Sequence, residues 1–117
     1  MQHFKITKST EYKTLFKDAN RAVSKYFTIL YKVSKQVEIN EEENRFRFGI
    51  TVSRKVGNAV KRNRCKRIIR ILMRDIYTKH KCNNLSINVI ARKFIVGKSF
   101  DNIKKDFIFC FNKIINS

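Results

Sequence analysis

The chain has 117 residues, 43% of them hydrophobic, so the sequence predicts a single domain over residues 1–117 and leaves no room for a second core. Lys and Arg number 27 against 9 Asp and Glu, and the net charge of +18 favours a polyanionic partner such as nucleic acid, because like charges repel in a compact chain. The longest apolar run, Phe107 to Phe111, is too short for a membrane span, and the N-terminus lacks a signal core, so we expect a cytoplasmic protein.

The first predicted element is a short amphipathic helix. It begins after Ser9 or Thr10 and ends near Asn20, with Glu11 in its first turn. Its apolar residues recur at i, i+3, i+4 and i+7, namely Tyr12, Leu15, Phe16 and Ala19. Core packing is the commoner role for such aromatic residues, and contact with a ligand is the alternative.

Two strands are predicted next. Residues 22–33 are rich in β-branched and aromatic side chains and predict extended chain, broken near Ser24 and Lys25. Alternation places Phe27, Ile29, Tyr31 and Val33 on one face and Tyr26, Thr28, Leu30 and Lys32 on a more polar face. After a polar, acidic connection over 34–44, residues 45–53 alternate most clearly, with apolar side chains at Phe46, Phe48, Ile50 and Val52.

A long helix, a strand and a final helix complete the prediction. A Gly57-Asn58 turn leads into a helix from about Ala59 to Tyr77, Leu85 to Ala91 reads as a buried strand, and Ser99 caps a helix to residue 115. The long helix is a crossover, so the strands on either side of it are predicted to be parallel. The order α-β-β(-β)-α-β-α predicts an α+β fold, a two-layer α/β sandwich with helices over one sheet.

The long helix has two contrasting faces. Its predicted apolar stripe contains Cys65, Ile68, Ile69, Leu72, Met73 and Ile76. Its opposite face contains Asn63, Lys66, Arg67, Arg70 and Arg74. Because no acid occurs between Asn44 and Arg74, this face predicts a surface that pairs with the phosphates of structured RNA or DNA. An aromatic sheet face beside the first helix is predicted to stack on unpaired bases.

The sequence offers no catalytic constellation. His3 and His80 stand alone in polar segments, and Glu41, Glu42 and Glu43 fall in a predicted loop. No zinc, nucleotide or nucleophile motif occurs, and the three separated cysteines indicate reduced, buried thiols. We therefore expect neither catalytic nor metal-binding residues in this chain.

Residues 52–70, VSRKVGNAVKRNRCKRIIR, resemble the RNR motif of the bacterial ribonuclease P protein component. The residues in register with that motif are Ser53, Arg54, Lys55, Gly57, Asn58, Ala59, Val60, Arg62, Asn63, Lys66, Arg67 and Arg70. The likeness extends over nearly the whole chain. It implies a ribosomal-protein-like domain whose crossover at the long helix is left-handed, against the usual right-handed preference.

The resemblance also implies a function. The protein would be the small subunit of the endoribonuclease that removes the 5′ leader from precursor tRNA, with ribonuclease P RNA as the catalyst. Mg²⁺ would be held mainly by the RNA, with no cofactor bound by the protein and one protein per RNA. The residues implied to face the catalytic RNA are Arg54, Lys55, Lys61, Arg62, Asn63, Arg64, Lys66, Arg67 and Arg70. Those implied to contact the leader are Tyr12, Phe16, Phe27, Leu30 and Tyr31, and the choice between Leu30 and Tyr31 stays open because a one-residue shift exchanges the strand faces.

The chain departs from the family pattern at a few positions. Ile71 stands where an acid commonly follows the motif, Tyr12 replaces a usual Phe, and Lys93-Phe94 replaces a usual proline after Arg92. Two other functions compete with the RNA-enzyme subunit. A generic RNA-binding module explains the charge but not the motif, and a membrane-surface helix would use the apolar stripe that so small a domain needs for its core.

Overall fold

A computed structural model of the chain describes residues 3–5, 19–33, 46–80 and 85–115. The strands in these ranges are β1 (His3–Lys5), β2 (Asn20–Val23), β3 (Phe27–Val33), β4 (Phe46–Thr51) and β5 (Leu85–Ala91). The α-helices are α1 (Ala59–His80) and α2 (Phe100–Ile115), and 3₁₀ turns at Arg54–Val56 and Lys93–Ile95 follow β4 and β5. The helix predicted between Thr10 and Asn20 lies outside the described residues except at its end, where Ala19 belongs to no regular element and Asn20 is the first residue of β2.

The described strands form one mixed sheet in the order β1-β4-β5-β3-β2. Strand β4 pairs in parallel with β5, with Phe48 opposite Ile87 and Ile50 opposite Val89, so the predicted crossover through α1 is confirmed. Strand β5 also pairs antiparallel with β3, and β2 and β3 form an antiparallel hairpin. The predicted break at Ser24 and Lys25 is the turn of that hairpin.

Both helices pack against the face of the sheet that carries the apolar alternation. The Phe27 ring of β3 meets Phe107 of α2 edge to face, with ring centroids 5.1 Å apart. In register with Phe27, Ile29 and Tyr31, the β5 residues Ala91, Val89 and Ile87 extend the same buried face. This is the apolar side of the sandwich.

The predicted stripe of α1 is confirmed. Its members, all buried, are Cys65, Ile68, Ile69, Leu72, Met73 and Ile76. They join the β-sheet residues and the inward face of α2 in one core cluster. Burying such a side chain stabilises the fold by about 1.5–3 kcal/mol, so α1 is held in place through the side that faces away from Arg67, Arg70 and Arg74.

The structure differs from the prediction at three places. Residues 3–5, for which the sequence predicted no helix or strand, form β1, which pairs in parallel with residues 46–48 of β4. The first long strand begins two residues earlier, at Asn20, and α1 continues to His80 rather than ending near Tyr77. A three-residue edge strand is stabilised by pairing with a distant segment, so the local sequence carries little signal for it.

Three turns of the chain lie close together at one edge of the sheet. The carboxyl ends of the parallel strands β4 and β5 lie there, as does the hairpin turn that precedes β3. Asp106 of α2 holds that turn by accepting hydrogen bonds from Ser24 Oγ at 2.7 Å and from the Tyr26 amide at 2.9 Å. The two 3₁₀ turns contact each other and bury Val56 and Ile95. No helix in the described ranges has the length and apolar character needed to cross a membrane.

Candidate nucleic-acid interface

The turn before α1 fixes the position at which the helix begins. Ser53 Oγ accepts a hydrogen bond from the Lys55 amide at 3.3 Å, which caps the 3₁₀ turn. Gly57 has φ of +140°, a conformation that side chains with a Cβ rarely adopt. Asn58 Oδ1 then accepts a hydrogen bond from the Lys61 amide at 3.0 Å and caps α1. The sequence thus turns sharply and starts the basic helix at Ala59.

Much of the exposed surface of α1 is formed by a set of polar and cationic side chains. Its exposed members are Lys61, Asn63, Arg64, Arg67, Arg70 and Arg74. Asn63, Arg67, Arg70 and Arg74 follow one another at intervals of four, three and four residues, so they lie along one strip of the helix. With a rise of about 1.5 Å per residue, this strip is about 16 Å long. We call these six residues the basic face.

Arg54 and Lys55 extend the basic face into the preceding turn, where both are exposed. Arg64 is anchored, since its Nη2 donates to the Lys98 carbonyl oxygen at 3.3 Å. Arg62 and Lys66 are half-buried beside the exposed row. All of the residues assigned to the catalytic RNA from the sequence therefore lie on α1 or on the turn that leads into it.

Arg62 has an unusual environment. Its Nε is buried and has no hydrogen-bond partner in the described part of the chain. Leaving a buried donor unsatisfied costs about 1–3 kcal/mol.

No acidic side chain offsets this charge within the segment. The sequence has no Asp or Glu from Asn44 to Arg74, and the first turn of α1 has none. The positive end of the helix dipole therefore adds to the field of the arginines. The surface is suited to polyanions, and bidentate arginine contacts favour phosphate.

The structure separates the residues predicted to contact a leader. Phe27 has 0% of its surface exposed and packs on Phe107, so its ring has no free face for a base, and its assignment is corrected to the core. Tyr31, 8% exposed, lies on the same side of the sheet as Phe27, also among core residues. Leu30 is half-buried on the opposite face, so of the two strand candidates left open it is the one outside the helix-covered layer.

The face that carries Leu30 is the more polar one, as its alternation predicted. We call it the open face, and it includes Leu30, Asn88, Thr51 and Ile90. Thr51 Oγ1 donates to Asn88 Oδ1 at 3.2 Å, which links β4 and β5 on this side. Tyr12 and Phe16, the other two leader candidates, lie outside the described residues.

The sequence analysis assigned no role to residues 92–94, which the structure places beside the start of the motif. Phe94 is 51% exposed and has the cationic groups of Arg92 and Lys93 near its ring. The available signal was an aromatic residue after two cations at a strand end, at a position where the chain departs from the family pattern. That signal is weak without the fold, since local sequence does not show that these residues lie near Lys55.

Within the described residues, no three His, Cys, Asp or Glu side chains are grouped as metal ligands are. His3 belongs to β1 and His80 is the last residue of α1. Burial raises the pKa of the Cys65 thiol to about 11, with nearby Arg64 opposing the effect, so this cysteine is a poor nucleophile at neutral pH. Cys65 is therefore not suited to nucleophilic attack on a bound molecule.

Comparisons with known proteins find one family in sequence and in overall fold. The family model for Ribonuclease P matches residues 1–115. The ribonuclease P protein component of Bacillus cereus (strain Q1) is 32% identical over 109 residues, which are 93% of this chain and 89% of the relative. The structure of the Staphylococcus aureus RNase P protein matches with a TM-score of 0.76 and 28% identity, covering 94% of each chain. The Thermotoga maritima RNase P protein shares the fold, with a TM-score of 0.67 and 23% identity over 89% of this chain and 91% of that one.

Proposed function

The chain belongs to the ribonuclease P protein family, and on that premise we propose that its basic face, with Arg54 and Lys55, binds the catalytic RNA of ribonuclease P. A protein component of this family is a subunit of the endoribonuclease, and the work of that ribonucleoprotein is tRNA processing. In our proposal the RNA is the catalyst. The protein assists removal of the 5′ leader from precursor tRNA, which leaves the mature 5′ end.

The observation that carries this proposal is the division of α1 into two faces. The stripe from Cys65 to Ile76 is buried, while Arg67 and Arg70 are exposed, in a sequence segment from Asn44 to Arg74 that contains no Asp or Glu. A helix fixed through its apolar side presents its cations at set spacings, which is what pairing with a folded RNA backbone needs.

For the leader, we propose the open face of the sheet. The exposure of Thr51 and the partial exposure of Leu30 there support this choice, because the other face is filled by α1 and α2. Asn88, on the same face, is buried and positions Thr51 through their hydrogen bond. Tyr12 and Phe16 remain part of the proposal as base-stacking residues. A single strand on this face would continue toward the turn that begins the basic face, so one protein would contact both RNAs.

The protein's own contribution is binding and charge neutralisation. Arginines that pair with phosphates lower the repulsion between the catalytic RNA and its substrate, so less Mg²⁺ is needed for the two to associate. Mg²⁺ held mainly by the RNA supplies the metal-ion chemistry of phosphodiester hydrolysis, and we propose no cofactor bound by the protein. The raised pKa of the Cys65 thiol supports a protein without a nucleophile, because a protonated thiol is a poor nucleophile.

We further propose one protein per RNA, because a single copy presents one basic face. A cytoplasmic location is part of the same proposal. The free thiols of Cys65 and Cys110 support it, since both are buried and neither is in a disulfide.

The test is cleavage of a precursor tRNA by the cognate ribonuclease P RNA at low Mg²⁺, with and without the protein. We expect faster cleavage at the mature 5′ end when the protein is present and no cleavage by the protein alone. The Mg²⁺ concentration that gives half-maximal cleavage should fall when the protein is added.

Two results would contradict the proposal. If a folded sample binds the RNA without any effect on cleavage, the chain is a general RNA-binding module. If it binds anionic lipid vesicles at physiological salt and not the RNA, the basic face serves a membrane surface.

A further inference from the structure

We propose that Phe94 is a stacking platform for an unpaired RNA nucleotide, in addition to the basic face and the open face. This inference rests on the proposed function, because it requires that the protein bind RNA. Phe94 is not part of the motif and belongs to neither surface described above. Its position at the sheet edge places it between them.

The backbone of the second 3₁₀ turn holds Phe94 outward. Ile95, the next residue, is 2% exposed and packs in the core beside Val56 of the first 3₁₀ turn. With Ile95 anchored inward, Phe94 is 51% exposed. A single exposed apolar side chain is common and means little by itself. The inference rests instead on the groups that surround the ring.

Two cations lie close to the ring. The Arg92 guanidinium carbon and the Lys93 Nζ are each 5.3 Å from its centroid. Arg92 is fixed, because its Nη1 donates to the Ser24 carbonyl oxygen at 2.6 Å and its amide donates to the Tyr26 carbonyl oxygen at 2.8 Å. Lys93 is exposed, so its flexible side chain can turn toward a phosphate. An aromatic ring with cations beside it suits a nucleotide, which combines a π-face with a negative charge.

The ring also borders a depression of about 620 Å³ at this edge. Lys55 and Ser53 line it from the turn before α1, and Ile90 lines it from β5. Since Ile90 belongs to the open face and Lys55 adjoins the basic face, the depression connects the two surfaces. A nucleotide stacked on Phe94 would have the cations of Lys55 and Lys93 within the same depression to meet its phosphate.

The chain contains a matched control. Phe109 of α2 is 57% exposed and has Lys113 Nζ 4.7 Å from its ring centroid, so it repeats the exposed aromatic with a nearby cation. It differs in position, because α2 packs on β2 and β3 and Phe109 does not line the depression. If exposure and a cation were sufficient, Phe94→Ala and Phe109→Ala would have equal effects.

The experiment measures RNA affinity for full-length Phe94→Ala, Phe94→Leu, Phe94→Trp and Phe109→Ala. One arm uses the cognate ribonuclease P RNA alone, and a second compares precursor tRNA with leaderless tRNA bound to the assembled enzyme. We expect Phe94→Ala and Phe94→Leu to weaken binding roughly 5- to 150-fold in one arm, as for a lost base stack, with an unchanged salt slope. Phe94→Trp and Phe109→Ala should bind like the unmodified chain. The affected arm identifies whether the nucleotide belongs to the catalytic RNA or to the leader.

Several outcomes would overturn the inference. Equal affinities for Phe94→Ala and Phe109→Ala in both arms would refute the stacking role of Phe94. Full binding by Phe94→Leu would also refute it, because leucine keeps the apolar bulk without a ring. These results leave the proposed function intact if the unmodified protein still stimulates cleavage. Failure of the unmodified protein to bind or stimulate would overturn both.

Discussion

The basic face predicts the salt dependence of RNA binding in numbers. From Arg54 to Arg74 the exposed cations are Arg54, Lys55, Lys61, Arg64, Arg67, Arg70 and Arg74. Each phosphate contact contributes roughly 0.7 to 0.9 to the slope of log affinity against log salt. If all seven make contacts, the slope is about −5 to −6. The double variant Arg67→Ala/Arg70→Ala should then be shallower by about 1.4–1.8.

The assay is equilibrium binding of the cognate ribonuclease P RNA at salt concentrations of roughly 50–200 mM. Over that range, a slope of about −5 to −6 corresponds to a loss of about 10³- to 10⁴-fold in affinity. For the double variant this loss should shrink by about 7- to 12-fold, because two counterion-release steps are gone. Lys105→Ala is the control of equal charge change per residue, since Lys105 is exposed on α2 and outside the basic face. Its slope should match that of the unmodified protein.

An unchanged slope in the double variant would refute the reasoning. So would a slope that Lys105→Ala flattens to the same extent per residue, because binding would then follow net charge rather than the basic face. Thermal unfolding of each variant guards against a trivial cause. Arg67 and Arg70 are exposed, so their replacement should leave stability nearly unchanged.

Three further predictions concern the parts that support the interface. Gly57→Ala should lower the free energy of unfolding by about 1–3 kcal/mol, because φ of +140° is strained for alanine. Gly97→Ala, at φ of +76° with open space around it, should lower the free energy of unfolding by less. Equal losses in urea titrations would contradict this prediction. Asp106→Ala should destabilise by about 1–3 kcal/mol because the Tyr26 amide and its neighbours lose their acceptor, whereas Asp106→Asn, which keeps one acceptor oxygen, should lose less; no loss in either would refute the role of this carboxylate. Burial raises the pKa of the Cys65 thiol from 9.0 to about 11, so the unfolded chain ionises first and the free energy of unfolding should fall as pH rises from about 9 to about 11. Cys65→Ala should fall less over that range, and an equal decline in both proteins would count against the raised pKa.

The helical and strand periodicities predicted most of the described architecture. The stripe from Cys65 to Ile76 and the strand from Leu85 to Ala91 were correct because each repeats its apolar residues at the period of its element. The parallel pairing of β4 and β5 followed from the order of elements alone. In these regions local preference and tertiary packing favour the same structure.

Tertiary contacts decided what the sequence left open. Both faces of β3 carry large side chains, so alternation identified two faces without showing that the helices cover the one with Phe27. The short strand β1 depends on pairing with β4, a partner more than forty residues away by its register of His3 with Phe46. The proposed role of Phe94 depends on the fold, which places Phe94 and Lys55 at the same depression.

The division of α1 into a buried stripe and an exposed row also affects how this protein can evolve. Selection for folding acts on buried residues such as Ile69 and Leu72, while on the proposed function selection for RNA affinity would act on exposed residues such as Arg67 and Arg70. Substitutions in one set leave the other set's contacts in place, so their effects should be nearly additive. As the partner RNA diverges between lineages, the exposed row can change in step with it while the inherited scaffold stays the same.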